Sequence, residues 1–533
     1  MSDGTRMAVP ATGSVPGLAV PSDQDPEPGP WVRPWNSRSA VRLAPFALVL
    51  AAFTFYSAAE IYRYDHFGST AFDLGIQDQA VWGYSHFQVV PNTVLGVPNY
   101  LGDHFNPILM VLGPLFWIWD DPRALLLVQS FLLALASLPV FSWARDRLGP
   151  LPALAVQASS LLFWGVLSAV AFDFHHGAFA VPALAFALYA VLAGKDRLLW
   201  PMVAVGLLTR EDVALIFIGL AVYVGVFQRR WRLALAVGGI SAAWFLLVMY
   251  VVIPALSPVG YRHWTYPALG PGPLSAALHV ITHPAQAAFL FFSPFEKTKT
   301  LLGLLGSWLF LPLASPISLV ALPALVERFW SSDTNTWTTR FQYSMILAPP
   351  MAFATVEVLA RLRTRLRRSA SRLASGNAPR GWPRWTPSEW LPAGLAGAVL
   401  LANVFVAFVG VQPFRDFPSY LTATQSAQLD SCLRTIPPDA SVDAGYYLVP
   451  HLASRRSIFI LPPAANASYM AVDPATEPDE GVRAQTRQIV LQALADGYGV
   501  ACSRGLALVL ERGGGGGSAR LSPQMSRFLG MGP

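Results

Sequence analysis

The sequence predicts an all-α polytopic membrane protein with about eleven transmembrane helices and a small extracytoplasmic α/β domain at its C-terminal end. Three observations predict it. Hydrophobic residues make up 53% of the 533 residues and charged residues 13%, against about 25% charged in soluble chains. Mean hydropathy is +0.43, and the apolar residues fall in long runs. After about Gln412 those runs stop and short alternating stretches begin. Such a composition excludes a cytosolic enzyme, a disordered scaffold and a small secreted disulfide domain.

Residues 1–40 are rich in Pro, Gly, Ser and Asp without apolar periodicity, which predicts a disordered cytoplasmic tail. The transmembrane part is expected over 41–411. Its spans are expected at 41–60, 123–143, 151–170, 178–193, 198–208, 213–227, 232–254, 300–313, 316–329, 343–360 and 391–411. The stretch 61–122 forms a large first outer loop, in which 73–88 and 106–119 are expected as interfacial helices; Trp117 and Trp119 suit that depth.

Orientation follows from the basic loops. Arg145 and Arg147, Lys195 and Arg197, Arg229, Arg230 and Arg232, and the Arg-dense stretch 361–384 share one face, which is therefore cytoplasmic. The net charge of +6 resides in these loops and is no sign of nucleic-acid binding. The expected location is a bacterial plasma membrane, with the N-terminus cytoplasmic and residues 412–513 outside. Within 412–513, SVDAGYYLVPHLA, RRSIFILPP, an amphipathic run near 483–495 and YGVACSRGLALVLERG predict strands around a helix. Residues 514–533 read as a flexible tail. Cys432 and Cys502, the only cysteines, either pair outside or stay as two buried thiols.

Ionisable residues at membrane depth are costly and usually functional. Four groups stand out: Asp73 with Gln77 in TAFDLGIQDQ, Asp103 and His104 in LGDHFNP, Asp173, His175 and His176 in AFDFHHGAF, and Arg210, Glu211 and Asp212 in LLTREDVAL. All fall at the outer ends of spans. Asp73 is either a helix N-cap or a functional carboxylate. The spans on either side of Arg210 are about 16 and 22 Å long, so their turn is expected below the outer surface, facing a wet cavity or closed by an internal ion pair. The histidines and aspartates are suitable ligands for a divalent cation such as Mg or Mn, although the spacing matches no zinc motif and hydrogen bonding serves equally. Tyr261, Arg262 and His263 in the next outer loop suit a lipid head group or sugar face, or an ordinary aromatic belt.

FDLGIQDQ, GDHFNPILMVLGPLF, FDFHHGAFAVP and TREDVALIF, in this order, resemble the membrane-protein family known as domain of unknown function 2079. That family is similar to the GT-C superfamily of membrane glycosyltransferases. The resemblance implies a GT-C-like transmembrane domain and transfer of a sugar from a polyprenyl-phosphate donor to an extracytoplasmic acceptor, with membrane lipid as a further partner. It implies Asp73 as the acidic residue of the first outer loop, and the chemistry of glycosyl transfer adds His104 and Glu211 as catalytic candidates. Gln77, Asp103, Asp173, His175, His176, Arg210, Asp212 and Arg262 are the substrate-binding candidates. The adjacent acidic pair common in GT-C loops is missing, because Phe72 and Leu74 flank Asp73. A lipid or anionic-solute transporter or flippase, and a non-catalytic scaffold, are the other classes the buried charges allow.

Overall fold

The computed structural model describes residues 38–374, 387–415, 421–462, 467–513 and 519–531. The chain divides into Met1–Leu43 and Ala44–Pro533. The first unit, with the expected N-terminal tail, lies almost wholly outside the described residues. The second holds the helices and the sheet.

Among the described residues six helices are long and apolar enough to cross a membrane: Arg42–Asp65, Arg123–Leu148, His176–Ala193, Trp231–Leu256, Gln342–Ala370 and Ser388–Val411. Counting each bent pair as one span gives up to eight, and this corrects the expected eleven. One pair is Pro150–Leu161 with Trp164–Val170, bent by 45°. The other, Pro273–Thr282 with Pro284–Phe292, is bent by 108° and falls in the expected outer loop 255–298. The overcount has a physical cause: apolarity sets hydropathy, but hydrogen-bonded length sets a span. Expected spans 198–208 and 213–227 are the helices Asp196–Leu207 and Val213–Val226, of 12 and 14 residues. Expected spans 300–313 and 316–329 break at Ser and Pro into Phe295–Gly306, two 3-10 turns and Leu322–Trp330. The expected helix 106–119 is a 3-10 turn, Pro107–Leu112, running into one helical turn, Gly113–Phe116.

The helices of 12 and 14 residues pack tightly because Gly206 has no side chain: a Cβ there would stand 2.1 Å from the Phe217 ring. The turn they leave, 208–212, presents Arg210, Glu211 and Asp212. At one end of the bundle the basic loops gather. Arg363 Nη1 donates to the Arg147 carbonyl (2.7 Å), and Arg230 pairs with Asp196. Arg123, at the far end of the helix that ends near Arg147, pairs with Asp65, so the first loop starts at the opposite end.

The C-terminal region is a five-stranded sheet with order β2-β1-β3-β5-β4. β1 (Val442–Ala444) lies parallel to β2 (Ile458–Ile460) and β3 (Tyr469–Val472). β5 (Ala507–Arg512) runs antiparallel to β3 and to β4 (Tyr498–Arg504). Strand alternation gives the sheet two apolar faces. Met470, Val472, Leu508 and Leu510 pack on Val490 and Ala493 of the helix Glu480–Ala495. Val442, Ala444, Ala471 and Val509 share a core with Leu74, Leu109 and Phe174. The second face therefore seats the sheet against the first loop. Residues 519–531 are not merely a flexible end: Pro523–Leu529 is helical, with Met525 and Leu529 buried. A polar, Gly-rich context hides those two anchors in the sequence.

Cys432, on the helix Ala423–Leu433, is disulfide-bonded to Cys502 on β4, 70 residues away. Closing a loop of that length removes denatured-state entropy worth about 4 kcal/mol. The double variant Cys432→Ala, Cys502→Ala is expected to lose most of that stability. Thermal unfolding with and without reductant checks it: reductant should lower the wild-type midpoint and leave the variant's unchanged.

Candidate functional site

The first loop begins with a strained turn. Asp73 has φ 70° and ψ −85°, a region that non-glycine residues rarely occupy and that costs about 1–3 kcal/mol. Two backbone bonds hold it there: Ala71 N–H donates to the Tyr446 carbonyl (3.0 Å) and Gly75 N–H to the Thr70 carbonyl (3.4 Å). The helix Ile76–Ser85 starts only afterwards, with Gly75 at its N-cap position. Asp73 is thus no N-cap, because its backbone turns away before the helix begins. Its carboxylate lies 4.0 Å from His175 Nε2 and 3.5 Å from Gln342 Nε2.

Buried polar groups fix this turn from behind. Asp173, fully buried, takes Arg63 Nη1 on one oxygen (2.7 Å) and Thr70 N–H and Oγ1 on the other (3.0 and 2.6 Å). Gln77 donates to the Phe174 carbonyl (3.1 Å) and accepts from His176 N–H (2.9 Å). Gln129 donates to Glu60 and accepts from His175 N–H, both at 2.9 Å. With these bonds Asp173 and Gln77 frame the site and do not line its cavity. His176, stacked on His175 with centroids 4.2 Å apart, does the same.

Gly177 N–H donates to His175 Nδ1 (3.0 Å), so that nitrogen carries the lone pair and the ring proton sits on Nε2, facing Asp73. Burial lowers the His175 value well below the ordinary one and keeps the ring neutral. Burial also pushes Asp73 up to about 7, with the Asp173 charge adding to it and His104, Arg210 and Arg63 opposing.

A cavity reaches this turn through His175 and Gln342, which line it, while Asp73 itself stands behind them and is not among the lining residues. His104, His175, Arg210, Glu211 and Asp212 line it, together with His263, Glu327, Arg328, Gln342 and Tyr343. Glu211 accepts from His104 Nδ1 (2.8 Å) and Phe105 N–H (3.1 Å). Arg210 forms a two-pronged pair with Asp212 and lies 3.9 Å from Glu327, so its charge is already matched. Arg328 differs. Its Nε donates to the Thr336 carbonyl (2.8 Å), while its buried Nη2 has no partner among the described residues. An unpaired buried guanidinium nitrogen at a cavity wall is a ready anion donor.

Asp103, His104 and His263 each offer one ligand atom, all within 4.8 Å of one another, and this cluster can coordinate a divalent cation. His104 spends Nδ1 on Glu211, which leaves Nε2 for the metal and gives it the carboxylate support that metal-bound imidazoles usually have. Arg262, half exposed, lies 3.9 Å from Asp103 at the rim and does not line the cavity. Sequence reasoning misses Glu327, Arg328 and Gln342. The first two carry a signal, a charge pair at the end of the apolar run 316–329; Gln342 carries none.

A family model described as Predicted membrane protein (DUF2079) matches residues 63–492. No curated protein matches the sequence. Among solved structures, ArnT from Cupriavidus metallidurans bound to undecaprenyl phosphate matches with TM-score 0.52 at 12% identity, over 89% of this chain and 98% of that one. The archaeal oligosaccharyltransferase AglB from Archaeoglobus fulgidus, in complex with an inhibitory peptide and a dolichol-phosphate, matches with TM-score 0.40 at 11% identity, over 85% and 73% of the two chains. The first likeness establishes the fold alone; the second is too distant to add to it.

Proposed function

Since the chain belongs to the DUF2079 family of membrane proteins, we propose that it is a GT-C-type membrane glycosyltransferase. It moves a sugar from a polyprenyl-phosphate donor to an acceptor outside the cytoplasmic membrane. One observation carries this reading: a carboxylate, Asp73, is held in a strained turn beside a cavity that also presents an unpaired arginine nitrogen. The ArnT fold that the chain shares was seen with undecaprenyl phosphate, which supports a polyprenyl-phosphate partner.

In this mechanism Asp73 takes the proton of the acceptor hydroxyl. The hydroxyl oxygen bonds to the anomeric carbon, and the bond from that carbon to the phosphate oxygen breaks. The polyprenyl phosphate leaves with the electron pair, and Arg328 holds its growing charge. His175 and Gln342 orient the Asp73 carboxylate. The Arg63–Asp173 pair and Gln77 are positioning groups. A cation on Asp103, His104 and His263 would supply further charge neutralisation; two imidazoles and one carboxylate suit Mn²⁺ or Zn²⁺ better than Mg²⁺.

The test is transfer by the purified protein in nanodiscs, supplied with labelled polyprenyl-phosphate sugars and an envelope extract as acceptor source. Transfer of label is the expected result. Donors that stay intact, in a preparation that binds polyprenyl phosphate, would overturn the reading.

The site should face outward. The disulfide needs an oxidising compartment, and the basic loops cluster at the other end of the bundle. Reporter insertions at Gly194 and Gly497 are expected to give opposite signals, cytoplasmic at the first and external at the second. The same signal at both would contradict this orientation.

A further inference from the structure

The parallel part of the sheet has an internal reversal. From β1 the chain moves to β2 on one side, then crosses back to β3 on the other. In open α/β sheets ligands bind outside the carboxyl ends of the strands at such a reversal, because neighbouring connections part there and leave a crevice. This sheet has one. Gly445 follows β1, Leu461 and Pro462 follow β2, and Asp473 follows β3; with Glu477 and Thr486 they line it.

The chemistry of the crevice is specific. Asp473 spends one oxygen on Ala475 N–H (2.9 Å) and keeps the other. Glu477 places its carboxylate beside Gly445, where a Cβ would stand 3.7 Å from Oε1. Both residues are buried, yet among the described residues no Lys or Arg nitrogen pairs with either carboxylate. Thr486 adds a hydroxyl, and Val482 and Ile489 an apolar wall. Uncharged donors such as sugar hydroxyls satisfy carboxylates of this kind, each oxygen accepting one hydroxyl.

Tyr446 connects this crevice to the cavity side. It lines the crevice, its carbonyl accepts from Ala71 N–H (3.0 Å), its ring packs edge-on against Phe72, and its hydroxyl lies against Thr70. A group bound in the crevice therefore sits one residue's contacts away from the turn that carries Asp73.

We propose that this crevice, walled by Tyr446, Asp473, Glu477 and Thr486, binds a saccharide unit of the acceptor. That the saccharide belongs to the acceptor rests on the transferase reading; saccharide binding itself does not. The experiment is saturation-transfer NMR on the full chain in nanodiscs with a panel of methyl glycosides as probes. Saturation transfer is expected to at least one glycoside and to fall at least fivefold in Gly445→Leu, which fills the crevice, and in Glu477→Gln. No transfer to any glycoside, or transfer undiminished in both crevice variants, overturns the proposal. Should Gly445→Leu unfold, Glu477→Gln decides. Because Asp73→Asn is scored separately for sugar transfer, an inactive crevice and a failed transferase reading give different results.

Discussion

Asp73→Asn is expected to lower sugar transfer by about 10²–10⁴-fold while the protein folds and binds polyprenyl phosphate as before. Asn keeps the shape, the hydrogen bond from Gln342 and the place beside His175 but removes the proton acceptor. A companion variant separates chemistry from architecture. At φ 70° and ψ −85° glycine relieves the strain that Asp73 endures, so Asp73→Gly should fold at least as stably and transfer no sugar. The pH profile adds a third arm. With its carboxyl pushed up to about 7, first by burial, Asp73 is a base above that pH and a neutral acid below it. Transfer should fall about tenfold per pH unit below 7 in the wild type, and this limb should vanish in Asp73→Asn. The stability effect has the opposite sign. Between the ordinary carboxylate range and 7 the folded state holds a proton the unfolded state has lost, so ionising Asp73 costs stability as pH rises. Full activity in Asp73→Asn would return the residue to a structural role.

Arg328→Gln is expected to cost about 10²–10³-fold in transfer, the scale for removing one preorganised donor from a developing anion. Its Nη2 is buried at the cavity wall without a partner among the described residues, whereas Arg210 is matched by Asp212 and Glu327. Arg328 also ties down the loop through its bond to the Thr336 carbonyl. The lysine variant distinguishes the two roles. If the charge matters, Arg328→Lys recovers a substantial part of the rate and of polyprenyl-phosphate affinity, measured by native mass spectrometry. If only the loop bond matters, Lys fails as Gln does, because the Nε–H that donates to the Thr336 carbonyl is lost in both. Equal rates for all three proteins would remove Arg328 from the mechanism.

Much of the candidate site is legible in the amino-acid sequence. Asp73, His104, His175 and Glu211 stand out because charge is too costly to bury at membrane depth without a use, and that rule needs only a hydropathy pattern. The same rule covers Glu327 and Arg328, but they stand at the edge of an apolar run that reads as a span. Asp173 and Gln77 show its limit. Both are as buried as the rule demands, yet each is bonded to the first loop or to the strand of chain beside it, with nothing left for a substrate. Burial of a polar group says that it has a partner, not which one.

The sequence by itself determined the membrane class, the strand alternation of the C-terminal sheet and the clustering of charge in four short motifs. These are local properties: apolar period and run length set them within about 20 residues. The tertiary structure alone decided the number of full spans, because helix length depends on where Pro, Ser and Gly break the hydrogen-bond ladder and on what packs against the break. It alone paired Cys432 with Cys502, put Asp73 outside the helix that follows it, and left one nitrogen of Arg328 without a partner. Each of those facts depends on residues far apart in the chain, or on a backbone angle held by such residues. Contacts at that separation are chosen by packing, which no local pattern encodes.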